Sequence, residues 1–96
     1  MIARVWSAWA TPDRAPAYAG HLATHVIPAL RHLPGYAGAM RLQRGLGENV
    51  EIKVITWWQS REAIRAFAGD DLELAVVASE VADLPTRFDG SVRHYQ

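Results

Sequence analysis

The stretch from Val50 to Ala68 limits the possible folds of this chain more than any other. Every second residue from Val50 to Trp58 is apolar or β-branched, which is the two-residue period of a strand with one buried face. Ser60 can cap a helix, and we predict that helix from Ser60 to Ala68. Because neighbouring strand residues point to opposite faces, we expect Trp58 to face the helices and Trp57 to face away from them.

Hydrophobic periodicity and turn residues predict the element order β-α-β-β-α-α-β. The predicted strands are Ile2–Trp9, Tyr36–Arg44, Val50–Trp58 and Ser91–Gln96, the predicted helices are Arg14–Leu33, Ser60–Ala68 and Leu72–Ala82, and Gly45–Asn49 is the predicted hairpin loop. Pro28 removes a backbone hydrogen bond inside the long helix, so we expect a kink there. The order is typical of an α+β, ferredoxin-like fold, a four-stranded antiparallel sheet with its helices on one face. With 96 residues, the chain has room for one domain, residues 1–96.

The predicted strands carry apolar residues on both faces. In the first strand, Val5 and Trp9 point one way and Ile2 and Trp6 the other. The predicted helices cover only one side of the sheet, and an apolar second side has to be buried against something else. We therefore predict a homodimer in which the uncovered sheet faces pack together.

Charge and composition exclude several classes of protein. Ten basic and ten acidic residues balance, and the strand up to Trp58 offers only Lys53 beside its aromatic residues, so nucleic-acid binding is not expected. The absence of cysteine excludes disulfides, thiolate catalysis and Cys-ligated metal. No apolar run approaches the roughly 18 residues of a membrane span, and the N-terminus lacks the features of a signal peptide. The expected location is the cytoplasm, without membrane contact.

Histidines are the candidate proton-transfer groups. His21 and His25 lie one turn apart on the long helix, with Tyr18 nearby. Three interpretations of the two histidines are open. They line a pocket as a polar seam, they are structural or solvated side chains, or they chelate a metal ion together. No carboxylate stands on a neighbouring turn of that face, so no metal site is predicted. His94, on the last strand, is either a general base or a buried structural histidine.

Aromatic residues form the second candidate set, either as core or as the wall of a pocket. They include Trp6, Trp58 and Phe67. The sequence has no P-loop, dinucleotide-binding glycine pattern, nucleophile elbow or zinc-protease motif, so no cofactor is predicted. Redox chemistry would have to rely on the substrate itself or on a ligand bound by shape.

Four segments, in order along the chain, resemble the antibiotic biosynthesis monooxygenase (ABM) family of small dimeric α+β-barrel proteins. They are Tyr18-x-x-His21-Leu22, Pro28-x-Leu30-x-x-Leu33-Pro34-Gly35-Tyr36-x-Gly38, Trp58-x-Ser60-x-Glu62-Ala63-Ile64-x-x-Phe67-Ala68-Gly69-x-Asp71 and Val92-x-His94-Tyr95. Together they cover almost the whole chain. The resemblance implies two ferredoxin-like subunits whose sheets pack face to face, each with a pocket between sheet and helices.

The resemblance also implies chemistry. Some relatives oxygenate phenols and quinols without flavin or metal, because the electron-rich substrate itself activates O₂. Others degrade haem, using a Trp where Phe67 stands here and a His where Val77 stands. The Asn that those enzymes carry on the first strand also has no counterpart, so haem degradation is not expected.

The leading expectation is therefore a cofactor-independent, monooxygenase-like protein for an aromatic small molecule. The candidate site residues are His94 and His21 as proton acceptors and, for substrate binding, Tyr18, His25, Trp6, Trp58 and Phe67. The alternative is a non-catalytic dimer that binds a small ligand or responds to stress, since fold alone never fixes function.

Overall fold

The computed structural model describes residues 1–73, 75 and 87–96. Its strands are β1 (Ile2–Ala10), β2 (Tyr36–Leu46), β3 (Asn49–Trp58), β4 (Arg87–Phe88) and β5 (Arg93–Tyr95), and its helices are α1 (Ala15–His21), α2 (Ile27–Leu30) and α3 (Arg61–Ala68), with a π-helical turn at Leu22–Val26 between the first two. The predicted helix Leu72–Ala82 falls mainly on residues 74 and 76–82, which lie outside the described part. In the described part, no helix has both the length and the apolar character needed to cross a membrane.

The sheet is antiparallel throughout and confirms the predicted ferredoxin-like arrangement. Its order is β2-β3-β1, with β4 and β5 both along the outer side of β1. The predicted last strand, Ser91–Gln96, is present as the shorter β5, and β4 is a fifth strand that was not predicted. Between β4 and β5 the Asp89 N–H donates to the Ser7 carbonyl at 3.0 Å, so the edge stays attached to the central strand.

The long helix runs from Ala15 to Leu30 but changes its hydrogen-bond pattern midway. In the π-helical turn the Ile27 N–H donates to the Leu22 carbonyl, five residues back. We expected the irregularity as a kink at Pro28, and the structure places it in the turn before. Because proline has no N–H to donate to that preceding turn, the turn is free to widen.

The hairpin between β2 and β3 is tighter than predicted. Leu46 pairs with Asn49, so only Gly47 and Glu48 form the turn. Gly47 has a φ of 67°, and glycine at the first position of a two-residue turn accepts this left-handed backbone without strain. The shorter loop extends both strands and lengthens the sheet edge that β2 forms.

A close contact joins the end of the long helix to the start of α3. Gly35 has a φ of 82°, and a Cβ added there would lie 2.4 Å from the Ala63 Cβ. The Gly35 carbonyl also accepts a hydrogen bond from the Gln59 N–H at 2.8 Å. Ser60 caps α3, as predicted, by accepting from the Ala63 N–H at 3.2 Å. The turn at Gly35 therefore fixes where α3 begins.

The core on the helix-facing side of the sheet forms two apolar clusters. The first, under α1 and the π-helical turn, consists of Ala8, Ala10, Ala15, Tyr18, Leu22, Ile52 and Val54. The second, under α2 and α3, consists of Ile2, Leu30, Trp58 and Ile64. Trp58 is fully buried in the second cluster, whereas its neighbour Trp57 is half-buried on the other side of the sheet. The predicted division of the two tryptophans between opposite faces is confirmed.

The other side of the sheet, which we call the open face, is partly exposed and carries apolar side chains beside charged ones such as the Arg44–Glu51 ion pair. Met40 and Leu42 of β2 are 48% and 47% exposed, and Tyr95 of β5 is 53% exposed. Strand alternation places them on the same side as the half-buried Trp57.

Candidate functional site

A row of polar side chains crosses the helix-facing side of the sheet between the two apolar clusters. In the register of the strands, Arg4 of β1 lies opposite Thr56 of β3 on one side and opposite His94 of β5 on the other. Arg4 and Thr56 are buried, and His94 is half-buried. We call these three residues the polar row. A charge buried in the middle of a small core is costly, which makes the row the first candidate for a functional site.

Arg4 is held from three directions. Its Nη1 donates to the Leu72 carbonyl and lies 3.2 Å from Nε2 of His94. The guanidinium carbon lies 5.7 Å from the centre of the Phe67 ring, within the range of a cation–π contact. Burial lowers the pKa of Arg4, yet a guanidinium keeps its proton inside proteins. The row therefore contains a fixed positive charge.

His94 is neutral at neutral pH. Burial lowers its pKa below the ordinary value, the positive charges of Arg4 and Arg61 lower it further, and Glu73 opposes them. Burial disfavours the charged form of the imidazole, and the guanidinium beside it disfavours a second positive charge.

Stacked aromatic rings border the polar row on the side of α3. The Phe67 ring stacks on Trp58 with centres 5.4 Å apart, and Tyr36 meets Trp58 edge-on at 5.6 Å. The Trp58 indole N–H donates to the Thr56 hydroxyl at 2.8 Å, which ties the stack to the row. Trp58 is closed to solvent, and Phe67 and Tyr36 are half-buried. A ligand would therefore meet the rings of Phe67 or Tyr36 before that of Trp58.

A second aromatic group lies in the first apolar cluster. The Trp6 ring is 6.2 Å from Tyr18 and 6.1 Å from Phe88, and its N–H donates to the Asp89 carbonyl at 2.6 Å. Tyr18 is 2% exposed, and burial raises its pKa to about 12, so its hydroxyl stays protonated. The predicted site residues are thus divided into two groups, His94, Trp58 and Phe67 in one and Trp6, Tyr18, His21 and His25 in the other.

The two helix histidines differ in environment. Their ring centres are 5.2 Å apart, His25 is exposed, and His21 is half-buried. Nε2 of His21 is buried, and among the described residues it has no hydrogen-bond partner. Such an atom needs a partner from a ligand or from water. Within the described ranges, no three His, Cys, Asp or Glu side chains come together as a metal site would require.

A hollow of about 470 Å³ opens beside β5 at the end of the polar row. Its lining residues are Glu73, Ser91, Val92, Arg93, His94 and Tyr95. The Val92 N–H donates to the Glu73 carbonyl at 2.7 Å and the Ala75 N–H to the Gly90 carbonyl at 2.9 Å, which holds two sides of the hollow together. Its volume lies in the range of small-molecule sites, roughly 300–1,000 Å³, but it is largely open to solvent, and of the predicted site residues only His94 lines it.

Arg4 is absent from the predicted site residues, although its position in the sequence is unusual. Arg4 shares its strand parity with Ile2 and Trp6, both of which carry core-type side chains. A charged residue at a core position of a central strand is unusual enough to mark a site. Thr56 was recognised only as a β-branched strand residue, since nothing in the pattern indicates its bond to Trp58.

Comparisons with known proteins identify the fold. No family profile matches the sequence, and no curated protein matches it. Among solved structures, the chain is similar to the haem degrader MhuD from Mycobacterium tuberculosis with two haems bound in its active site, at 23% identity and a TM-score of 0.64, over 100% of this chain and 94% of that one. It is also similar to a MhuD mutant with two manganese protoporphyrin IX bound per active site, at 21% identity and a TM-score of 0.62, over 100% and 93% of the two chains. The predicted resemblance to the ABM family is confirmed at the level of the fold.

Proposed function

We propose that this protein binds a small aromatic molecule between sheet and helices and oxygenates it without a cofactor. The observation that carries the proposal is the polar row, in which a buried cation and a neutral imidazole lie directly beside the stacked rings of Phe67 and Trp58. Rings bind a planar ligand by stacking, and the polar groups orient its oxygen atoms.

The chemistry would be that of an electron-rich phenol or quinol. Removal of a phenolic proton makes the ring a better reductant, so the substrate can pass electrons to O₂ without flavin or metal. A ring C–H carbon of the phenol becomes a C=O carbon with one oxygen atom of O₂, and the hydrogens lost from that carbon and from the phenolic oxygen leave with the other atom as water. The substrate thus supplies all four electrons and is oxidised to a quinone. The protein would supply binding, exclusion of water and a proton acceptor.

Two histidines are candidates for that proton acceptor. His94 lies in the polar row, and His21 offers a buried Nε2 that has no partner within the described residues. Tyr18, with its protonated hydroxyl, would orient the substrate. Trp6 and Phe67 would contact the substrate rings, Trp58 would support Phe67 from behind, and the exposed His25 would lie at the entrance.

Oxygen uptake in the presence of a panel of hydroquinones and polyphenols tests the proposal. We expect turnover by the unmodified protein and a loss of about 100-fold or more when the true proton acceptor is removed in His94→Ala or His21→Ala. His32→Ala, at an exposed histidine beyond α2, is the matched control and should change nothing. Absence of oxygen uptake with every compound would refute the activity.

A non-catalytic ligand-binding protein is the second candidate, favoured by one contact. Nε2 of His94 already faces the Arg4 guanidinium, so it is not open to a substrate proton in this arrangement. Equilibrium titration with the same phenols, and with haem because the two similar structures contain porphyrins, separates the candidates. Saturable binding without oxygen uptake would establish the non-catalytic function.

We also propose that two copies pack through the open face. In support, Met40, Leu42 and Tyr95 expose large apolar side chains there, and monomers rarely leave such patches uncovered. Light scattering over a range of concentrations should give the mass of a dimer. The double variant Met40→Glu/Leu42→Glu should be monomeric, whereas Ala29→Glu on the exposed side of α2 should remain dimeric. A monomeric unmodified protein would contradict the proposal.

A further inference from the structure

The contact between Arg4 and His94 assigns the proton on the imidazole. Nη1 of Arg4 donates to the Leu72 carbonyl and also lies within hydrogen-bond distance of Nε2 of His94. A guanidinium has no lone pair to accept a hydrogen bond and does not lose its proton. Nε2 of His94 therefore has to be the acceptor, and the proton of the neutral ring lies on Nδ1.

Arg4 is suited to hold this arrangement. It stands on the central strand of the sheet, directly opposite His94 in the register of β1 and β5, and it is 4% exposed. The Phe67 ring lies against its guanidinium, and the Leu72 carbonyl fixes the same nitrogen that meets His94. With the proton on Nε2 instead, the imidazole N–H would face a guanidinium N–H, and neither group could accept a hydrogen bond from the other.

The other ring nitrogen is available to a ligand. His94 lines the hollow beside β5 together with Ser91 and Arg93, and no bond from Nδ1 to another described residue is present. Among the described residues, Arg4, Arg61 and Arg93 are the positive groups around it, and Glu73 is the negative one. A donor surrounded by net positive charge is suited to an oxygen that carries negative charge.

We propose that Arg4 is a positioning residue that fixes His94 as the neutral Nδ1–H tautomer, and that His94 serves the ligand as a hydrogen-bond donor to an anionic oxygen, a phenolate or a carboxylate. The tautomer depends on this chain alone, whereas the ligand role rests on the proposed function. His94 then does not accept the substrate proton, and that role passes to His21, whose buried Nε2 lacks a partner in the described part of the chain.

The tautomer is measured on the free protein by long-range proton–nitrogen correlation spectra of the histidine rings. We expect His94 to show the pattern of a protonated Nδ1 and an unprotonated Nε2 at neutral pH. In Arg4→Met the spectrum should no longer show the Nδ1-protonated tautomer alone. The His94 ring should also titrate at higher pH, because the neighbouring positive charge is gone. A protonated Nε2 in the unmodified protein would overturn the assignment, whether or not the Arg4 variant folds.

The ligand role is tested with the hydroxynaphthoquinone lawsone, an anion at neutral pH, and its uncharged methyl ether. We expect the unmodified protein to prefer the anion by about tenfold or more, the effect of one charge-assisted hydrogen bond. Glutamine can accept from Arg4 through its oxygen and donate through its amide, so His94→Gln should keep the preference, and His94→Leu should lose it.

Two results would overturn the ligand role. One is equal preference for the anion in the unmodified protein and in His94→Leu. The other is a loss of the preference for the anion in His94→Gln as large as the loss in His94→Leu. That result would mean that the site needs a titratable imidazole. If neither compound binds, the ligand role falls together with the proposed function, and the tautomer is still decided by the spectra of the free protein.

Discussion

The two faces of the sheet are each unlike what their burial predicts: the buried face contains a charge, and the exposed face carries hydrophobic side chains. The helix-facing side is closed, yet it holds a guanidinium at its centre, with a threonine and a histidine beside it. The open face is accessible, yet three of its exposed side chains, Met40, Leu42 and Tyr95, are large hydrophobic residues. Charge inside and apolar surface outside both cost free energy in an isolated monomer.

Each of these free-energy costs suggests a role for the face that carries it. A buried charge persists where it binds or positions something, and an exposed apolar strand face persists where something covers it. These costs support the two proposals made above, a ligand on the helix-facing side and another copy on the open face. One strand serves both, because β1 carries Arg4 on one side and Trp9 on the other.

The adjacent tryptophans offer the largest test of the difference between faces. Trp58→Ala removes a fully buried ring from the second apolar cluster and should lower the free energy of unfolding by about 3–5 kcal/mol. Trp57→Ala should cost less in a monomer, because that ring is half-buried. Urea denaturation measures both. Equal losses at low protein concentration would show that the two faces are packed alike.

Gly35 tests how tightly the helix-facing side is closed. Gly35→Ala should destabilise by about 1–3 kcal/mol, because the new Cβ meets Ala63 and the left-handed backbone disfavours any side chain. Gly20→Ala, in α1 with open space around it, should instead stabilise by about 0.5–1 kcal/mol. The same urea titrations apply. If Gly35→Ala stabilised the protein as Gly20→Ala does, the close contact between the Gly35 turn and Ala63 of α3 would be contradicted.

The smallest predicted effect is the pH dependence of stability that Tyr18 causes, and it is absent at neutral pH. Its pKa is raised to about 12 by burial, above the unfolded value near 10, so its contribution to stability is complete below pH 10 and is lost as the pH rises toward 12. The thermal midpoint should fall across that interval, and it should fall less in Tyr18→Phe. A fall of the same size in Tyr18→Phe as in the unmodified protein would contradict this prediction.

Much of the fold follows from periodicity, because strands with a period of two reveal their faces directly. The separation of Trp57 from Trp58 and the N-cap at Ser60 were predictable for that reason. The polar row was harder to predict, because it consists of contacts between Arg4 and His94, which are far apart in sequence. The π-helical turn was missed because a proline predicts an irregularity but not which turn absorbs it.

The widened turn between α1 and α2 has the character of a one-residue insertion. Five residues, Leu22–Val26, occupy the place where a regular helix would use four. Deleting Ala23 should restore regular pitch and rotate everything before it, His21 included, by about 100° relative to α2. The buried nitrogen of His21 would then leave its present position, and Ala15 and Tyr18 on the same helix would turn out of the first apolar cluster with it. The extra residue in this turn therefore sets the direction of His21 and the packing of the core together.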